Sequence, residues 1–251
     1  MDSSSNGFLN DESAAAERPK GTLYLIPSLM GETEPLEVLP LSIKKVIDLC
    51  DHFVVENEKS ARQFIKKVLP SKAQPDLLLN VLNKYTEPQE YVDFLRPCLE
   101  GQPVGIISEA GAPCVADPGS ELVRIAHTKN IRVVPLVGPS SILLALMASG
   151  MNGQNFAFTG YLPIEKAPRK KQIRQLERAS MKGQTQIFME TPYRNLKLFE
   201  DVLAVCESET RLCLATDITT PQEQIQTKTI AEWRRQTPNI EKRPTIFVLQ
   251  A

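Results

Sequence analysis

The sequence lacks the features that mark a membrane-spanning or secreted protein. No apolar stretch among its 251 residues approaches the ~20 residues that a helix needs to cross a bilayer. Residues 1–18 are rich in Ser, Asn and Ala, and they lack the basic start and apolar stretch of a secretory signal. We therefore predict a mobile tail over residues 1–18, no membrane partner and a cytoplasmic location.

Groups that bind metals or attack substrates are also scarce. The five cysteines are odd in number and include no Cys-x-x-Cys pair, which indicates neither a disulfide framework nor a zinc site. The two histidines, His52 and His127, fall in a strand-like and a helix-like segment, which disfavours a hydrolase built on a Ser-His pair. We expect buried free thiols and no metal.

Two further absences narrow the enzyme classes. No Gly-x-Gly-x-x-Gly run follows a strand, which argues against a Rossmann-type dehydrogenase. The net charge is only -1, so the protein is not coated in positive charge, although local basic patches are allowed. A hydrophobic fraction of 42% with 24% charged residues is typical of a globular protein.

Short apolar runs alternate with amphipathic stretches along the chain. The predicted strands are Thr22–Ile26, Phe53–Val55, Val104–Ile107, Arg132–Val137, Phe156–Gly160, Gln186–Met189, Leu212–Ala215 and Thr245–Leu249. The predicted helices, with apolar residues three and four apart, include Leu41–Cys50, Gln89–Leu99, Ser120–Lys129, Ser141–Ser149, Lys170–Ala179 and Leu196–Cys206. This alternation predicts an α/β protein with mostly parallel sheets covered by helices.

The segment Gly138-Pro139-Ser140-Ser141 follows a predicted strand and opens a helix, and its serines can cap the first turn. After Gly150 the strand and helix pattern restarts. We therefore predict two domains of similar size, residues 19–138 and 139–251.

The run from Ser108 to Gly119, Ser-Glu-Ala-Gly-Ala-Pro-Cys-Val-Ala-Asp-Pro-Gly, is the most informative in the sequence. It follows a buried-looking strand at the carboxyl end, which is where open α/β sheets bind ligands. Small residues let a ligand approach the backbone, and prolines stiffen the loop. An ordinary turn before a helix is the alternative explanation of the same residues.

This run resembles the central motif of the tetrapyrrole-methylase-like superfamily of S-adenosylmethionine-dependent methyltransferases. The resemblance continues through Glu121–Arg124, Val134–Ser141, Gly160–Pro163 and Glu190–Arg194, and more faintly through Ala215–Glu223. Within the superfamily, the nearest branch is similar to the ribose 2′-O-methyltransferases of small-subunit ribosomal RNA.

The resemblance implies two αβα domains with S-adenosylmethionine held in the cleft between them, and a homodimer. The donor has no phosphate, so the absent glycine fingerprint is no obstacle. By position in the family pattern, the donor contacts are Met30, Gly111, Ala112, Val115, Ser140, Ser141, Met189, Ala215 and Pro244. For most of them a core or turn role is the alternative.

The family pattern also places an acid beside the cleft at Glu56 and at Glu190. Either carboxylate is a candidate base for a ribose hydroxyl, which is a poor nucleophile while protonated. The alternative is that they pair with Arg62 or Arg194 and only shape the site.

We list Arg62 and Arg194 as candidate acceptor contacts. A third group lies in the basic segment Lys166–Lys182, where charges four residues apart form one stripe of a helix. A solvated helix face is the alternative. The stripe consists of Lys170, Arg174 and Arg178.

Several segments depart from the pattern. Where the family branch reads Thr-Pro-Ile-Gly-Asn, this sequence has Ser28-Leu29-Met30-Gly31-Glu32. An acidic-acidic-Thr-Arg motif is replaced by Glu56-Asn57-Glu58-Lys59, and Thr216–Thr220 lacks the Arg and Lys that usually flank its acid. Methyl transfer is thus a firmer prediction than the acceptor.

The leading hypothesis is a methyltransferase acting on a ribose 2′-hydroxyl of RNA. A methyltransferase for a small molecule, such as a tetrapyrrole precursor, and a non-catalytic S-adenosylmethionine-binding protein are the alternatives. The basic segment favours RNA, because a small hydrophobic substrate has no use for it.

Overall fold

The computed structural model describes residues 19–83 and 85–251, so the predicted tail over residues 1–18 lies outside the described residues. The strands are β1 Thr22–Ile26, β2 His52–Val55, β3 Leu78–Val81, β4 Val104–Ile107, β5 Arg132–Pro135, β6 Phe156–Tyr161, β7 Thr185–Met189, β8 Arg211–Thr216, β9 Gln224–Thr229 and β10 Thr245–Gln250. The helices are α1 Pro35–Val38, α2 Leu41–Leu49, α3 Glu58–Val68, α4 Pro88–Phe94, α5 Arg96–Leu99, α6 Ser120–Thr128, α7 Ser141–Ser149, α8 Lys166–Ser180, α9 Asn195–Val205 and α10 Ile230–Trp233.

The first sheet is fully parallel, with strand order β3-β2-β4-β1-β5. The central strand β4 is buried along its whole length, as expected for a parallel strand that helices cover on both faces. In the ladders Ile107 pairs with Ile26 of β1 and with Val55 of β2. The carboxyl ends of these three strands therefore meet at one edge of the sheet.

The second sheet has strand order β6-β7-β10-β8-β9. Only β6 and β7 are parallel, while β7 with β10, β10 with β8 and β8 with β9 are antiparallel. The α/β class is confirmed, but the prediction of mostly parallel strands is wrong for this sheet. The short connection from Thr216 to Gln224 allows a hairpin, whereas a parallel crossover needs a dozen or more residues.

Helix α3 was not predicted, although its start has a clear signal. The Asn57 side chain accepts hydrogen bonds from the backbone N–H groups of Lys59 and Ser60, which caps the first turn. Its buried face is short, with Ala61, Phe64 and Ile65, and the other positions are mostly charged. These apolar residues share one face of the helix, but they are few among charged ones, and the segment was not recognised.

The two sheets have separate cores, and the chain passes between them after β5. Helix α7 begins at Ser141 and packs against β8, β9 and β10 of the second sheet. The predicted division between residues 138 and 139 falls in this connection. A Cβ at Gly138 would lie 2.3 Å from the Pro27 Cβ, so the close approach of the two segments requires glycine.

A buried ion pair joins α8 to α9. Arg169 is 1% exposed, and its Nε donates to the Asp201 Oδ2 at 2.8 Å. The same guanidinium donates to the carbonyl oxygens of Pro163 and Ile164, so it also fixes the loop before α8. Lys170 lies 3.6 Å from the second Asp201 oxygen. The first turn of α8 is thus held by charge rather than by apolar packing.

We predict that Asp201→Leu lowers the free energy of unfolding by about 3–5 kcal/mol, because it leaves the Arg169 charge buried without its partner. Urea denaturation followed by circular dichroism measures the change. Glu200→Leu, at the exposed neighbouring position of α9, is the matched control. A loss for Asp201→Leu no larger than that of the control would contradict this role.

Candidate functional site

The loops at the carboxyl edge of the first sheet are tied to each other. The Ser28 N–H donates to the Gly111 carbonyl at 3.0 Å, which joins the loop after β1 to the loop after β4. In the second loop Cys114 and Ala116 have φ of 66° and 62°, in the left-handed region that larger or branched side chains avoid. The small residues recognised in the sequence thus allow a tight, irregular loop at this edge.

A cavity of about 260 Å³ opens between this edge and the second sheet, and we call it the interdomain cavity. Residues of both domains line it, and most of its walls are apolar or small. The first domain contributes Met30, Ala110, Val115, Ala116 and Asp117. The second contributes Ser141, Ile142, Tyr161, Met189, Glu190, Pro192, Ala215, Asp217, Ile218, Pro244, Thr245 and Ile246.

The structure brings six of the nine predicted donor contacts together in this cavity: Met30, Val115, Ser141, Met189, Ala215 and Pro244. The other three do not line it but are close in sequence to residues that do. Gly111 is buried, and a Cβ on it would lie 3.4 Å from the Met30 sulfur. Ala112 follows Gly111 in the same loop. Ser140 occupies the N-cap position of α7, but its side chain makes no capping hydrogen bond there, contrary to the prediction.

Two of the three carboxylates that line the interdomain cavity are paired with arginines. The Glu190 Oε1 lies 2.6 Å from the Arg194 Nη2. Burial acts to raise the pKa of Glu190, but the hydrogen bonds from Arg194 and Thr191 outweigh it and hold the pKa below its usual value. Glu190 and Arg194, predicted as base and acceptor contact, therefore form an ion pair.

The second pair is Asp217 with Arg243, whose Nε lies 2.7 Å from the Asp217 Oδ2. Arg243 also donates to the carbonyl oxygens of Gln222 and Asn239, and these hydrogen bonds hold together the loops around Pro244. The segment around Asp217 lacks the basic neighbours of the family pattern, and Arg243 supplies the positive charge from a distant part of the chain. Sequence spacing gave no signal for this pair.

Asp117 is the third carboxylate of the interdomain cavity, and within the described residues it has no hydrogen bond or ion pair. Burial raises its pKa to about 6, with further contributions from the negative charges of Glu56 and Glu109. A free carboxylate in a cleft attracts a cationic ligand. The Ser108–Gly119 run contained this residue, but it was not singled out as a site residue.

Glu56, the other predicted base, lies beside Asp117 at the end of β2. Burial and the charge of Glu109 raise its pKa, while a hydrogen bond with the Glu109 backbone acts in the opposite direction. Arg62 does not pair with it. Instead, the Arg62 Nη2 lies 2.8 Å from the Glu58 Oε1, and its Nη1 donates to the Gln74 carbonyl.

One of the three charges of the predicted basic stripe is engaged in an ion pair, and the other two are exposed. Lys170 is directed to Asp201, whereas Arg174 and Arg178 are exposed on α8. Lys171 is also exposed and has no ion pair in the described part of the chain. The exposed positive face of α8 is therefore formed by Lys171, Arg174 and Arg178, and we call it the α8 basic face.

A second cavity, of about 290 Å³, adjoins the first and lies within the N-terminal domain. Met30 and Ala110 line both cavities. The other residues around the second cavity come from the loop after β1, from α3 and from the end of β4: Ser28, Leu29, Gly31, Glu32, Ser60, Ala61, Gln63, Phe64, Lys67, Ile107, Ser108 and Glu109.

Over residues 19–83 and 85–251, no group of three His, Cys, Asp or Glu side chains is placed to hold a metal ion. No helix in the same ranges is long and apolar enough to cross a membrane. All five cysteines are free, and Cys50, Cys98, Cys206 and Cys213 are buried.

The family model of the tetrapyrrole (corrin/porphyrin) methylases matches residues 23–233. The chain belongs to this family. It is similar to ribosomal RNA small subunit methyltransferase I of Escherichia coli O157:H7, with 27% identity over 94% of this chain and 80% of the relative. Its similarity to the protein of that name from Haemophilus influenzae is 30% over 92% of this chain and 78% of the relative. The chain is a methyltransferase, as the sequence predicts.

Solved structures of tetrapyrrole methylases share the fold. The methyltransferase CobJ superposes with a TM-score of 0.62 at 18% identity, covering 92% of this chain and 94% of that structure. A uroporphyrin-III-C-methyltransferase from Thermus thermophilus gives a TM-score of 0.58, also at 18% identity and with the same coverage. At this identity the likeness confirms the two-domain α/β architecture.

The raised pKa of Asp117 leads to a prediction about stability. In an unfolded chain the pKa is near 3.8, and in the fold it is about 6, so ionisation costs stability as the pH rises from 4 to 6. We expect Asp117→Asn to be more stable than the original chain at pH 7.5, by about 1 kcal/mol after solvent screening. The gain should vanish near pH 4.

Thermal melts between pH 4 and pH 8 measure this difference, with Asp76→Asn at an exposed position as the control. A gain that does not depend on pH would show that the Asp117 charge is not the cause.

Proposed function

We propose that this methyltransferase transfers a methyl group from S-adenosylmethionine to a ribose 2′-hydroxyl of small-subunit ribosomal RNA. The interdomain cavity, in which the unpaired Asp117 faces apolar and small walls, carries the proposal. The names of the relatives support the acceptor class. The buried free thiols fit a reducing compartment, and we place the reaction in the cytoplasm.

The interdomain cavity fits the proposed donor by its chemistry. Met30, Ile142 and Ile218 offer apolar surface for a flat adenine, and the small Ala215 leaves room for it. Asp117 offers the negative charge that a cationic sulfonium requires. When bound there, S-adenosylmethionine supplies an electrophilic methyl group. Holding both reactants in line is then the main contribution of the protein to the rate.

The proton of the ribose hydroxyl needs an acceptor as the oxygen attacks. Of the two predicted bases, Glu56 suits this task better, because burial and Glu109 raise its pKa. The pair with Arg194 lowers the pKa of Glu190 and makes it a weaker base. We assign proton removal to Glu56, and we assign to Glu190 the positioning of Arg194 through their ion pair.

The α8 basic face is the proposed contact for the RNA backbone. Its charges are free in the described chain, unlike those of Arg169 and Lys170, which Asp201 holds. Phosphate contacts of this kind position an RNA without reading its sequence. The α8 basic face therefore contributes affinity for RNA, and residues at the cavities determine which nucleotide is methylated.

We also propose a homodimer. Helix α7 is apolar around its whole circumference, and its outer face exposes Leu143 and Met147, the latter with 78% of its surface. Val137, just before α7, is 76% exposed. A helix that is apolar on all sides is usually buried, so this face suits an interface between two copies of the chain.

The assignment of Asp117 predicts a difference between donor and product. S-adenosylhomocysteine lacks the sulfonium charge, so only S-adenosylmethionine loses a favourable interaction in Asp117→Asn. We expect the dissociation constant for S-adenosylmethionine to rise about fivefold, equivalent to about 1 kcal/mol, with that for S-adenosylhomocysteine unchanged. Isothermal titration calorimetry measures both. Equal changes for the two ligands would remove Asp117 from this role.

The α8 basic face predicts the salt dependence of RNA binding. Replacing Lys171, Arg174 and Arg178 by Gln should weaken binding and reduce the slope of log K against log salt by about 2 to 3. Filter binding with small-subunit RNA fragments measures the slope. The matched control replaces Lys44, Lys45 and Lys66, which are exposed on α2 and α3. If both triple variants bind alike, the RNA does not contact α8.

A further inference from the structure

The second cavity adjoins the place where the methyl group is transferred. Met30 and Ala110 separate it from the interdomain cavity and line both. A group bound in the second cavity is therefore separated only by these two residues from a donor bound in the interdomain cavity.

The lining of the second cavity is divided by chemistry. Phe64, from α3, and Ile107, at the end of β4, are buried and form an apolar floor. The rim is polar. The Ser60 hydroxyl donates to the Glu109 Oε1 at 2.6 Å, and the Gln63 amide makes no side-chain hydrogen bond within the described residues. An apolar floor suits the face of a base, and the polar rim suits a ribose.

Charge at the cavity distinguishes its two ends. Lys67, at the α3 end, donates to the Thr33 carbonyl at 2.7 Å, and Glu32 is 3.8 Å from it. The Glu32 side chain is fully exposed, so Lys67 keeps most of its positive charge available to a phosphate. Glu109, at the opposite end, lies beside the proposed base Glu56. A nucleotide can thus place its phosphate near Lys67 and its ribose near the carboxylates.

Three segments that depart from the family pattern lie at this cavity or next to residues that line it. All five residues of Ser28–Glu32 line it, and α3 begins directly after Glu56-Asn57. A Cβ on Gly31 would lie 2.5 Å from the Thr220 Cγ2, so the departing Thr216–Thr220 segment packs against the same loop. One departing segment therefore lines the second cavity, and two others adjoin residues that line it.

We propose that the second cavity is the acceptor pocket, that it takes one unpaired nucleotide of the RNA, and that Ser60, Gln63 and Glu109 select this nucleotide. The proposal rests on the proposed function. The second cavity, at about 290 Å³, is close to the lower limit of the ~300–1,000 Å³ that ligand pockets span. This volume suits a single nucleotide better than a macrocycle. A nucleotide enters such a pocket only when it is turned out of its stack.

The test fills the pocket without touching the donor site. Gln63 is exposed on α3 and lines only the second cavity, so Gln63→Trp places a large ring there. Gln89→Trp makes the same change on exposed α4, away from both cavities. Gln63→Ala removes the amide without filling the space. Methyl transfer to in-vitro-transcribed small-subunit RNA is followed with radiolabelled S-adenosylmethionine, and donor affinity is followed by calorimetry.

We expect Gln63→Trp to lower kcat/KM for the RNA at least about tenfold with donor affinity unchanged, while Gln89→Trp retains full activity and Gln63→Ala loses less than Gln63→Trp. Unchanged kcat/KM in Gln63→Trp would overturn the acceptor pocket and leave the proposed function standing. Loss of donor binding would assign the cavity to the donor and also overturn it. If the original chain, with Gln63 in place, methylates no RNA or only a small molecule, both the proposed function and the nucleotide pocket are overturned.

Discussion

The parallel pairing of β1 and β4 brings the loops that follow these strands to one edge of the first sheet. The hydrogen bond from Ser28 to Gly111 then fixes the two loops against each other. Both cavities depend on this arrangement, because Met30 and Ala110, which separate them, lie on the two loops. Backbone conformation limits which residues are tolerated here, and the positive φ of Cys114 and Ala116 explains the small residues of the loop.

Charge pairing decides which polar groups at the site can act. Arg194 and Arg243 neutralise Glu190 and Asp217, so these acids organise the walls of the interdomain cavity. Asp117 and Glu56 lack such partners. Burial raises both pKa values, and so does the negative charge of Glu109, with Glu56 also contributing to the shift of Asp117. Carboxylates with shifted pKa values in a cleft are typical of functional sites. The same rule applies on α8, where Asp201 pairs with Lys170 and so removes one of the three positive charges of the predicted stripe.

Strands and helices made mostly of apolar residues were predictable, as β4 and α7 show. The edge strands β3 and β9 and the charged helix α3 were not. The strand β3 is only four residues long, β9 has one apolar residue, and most positions of α3 are charged or polar. The direction of the strands in the second sheet was not predictable either, because it depends on the connections between strands rather than on apolar periodicity. The resemblance led to nine predicted donor contacts, of which six line the interdomain cavity. The ion-pair partners of the charged residues were not predictable from the sequence. Asp217 and Arg243 are distant in sequence, and Arg62 pairs with Glu58 of its own helix.

The central claim is transfer of a methyl group to a ribose oxygen of small-subunit ribosomal RNA. The most direct measurement incubates the purified chain with S-adenosylmethionine carrying a trideuterated methyl group and with unmodified small-subunit RNA, both free and assembled into subunits. Mass spectrometry of the digested nucleosides then locates the label. We expect the trideuterated methyl group on the 2′ oxygen of a ribose. Label on a base, or no label on either RNA, would contradict the account.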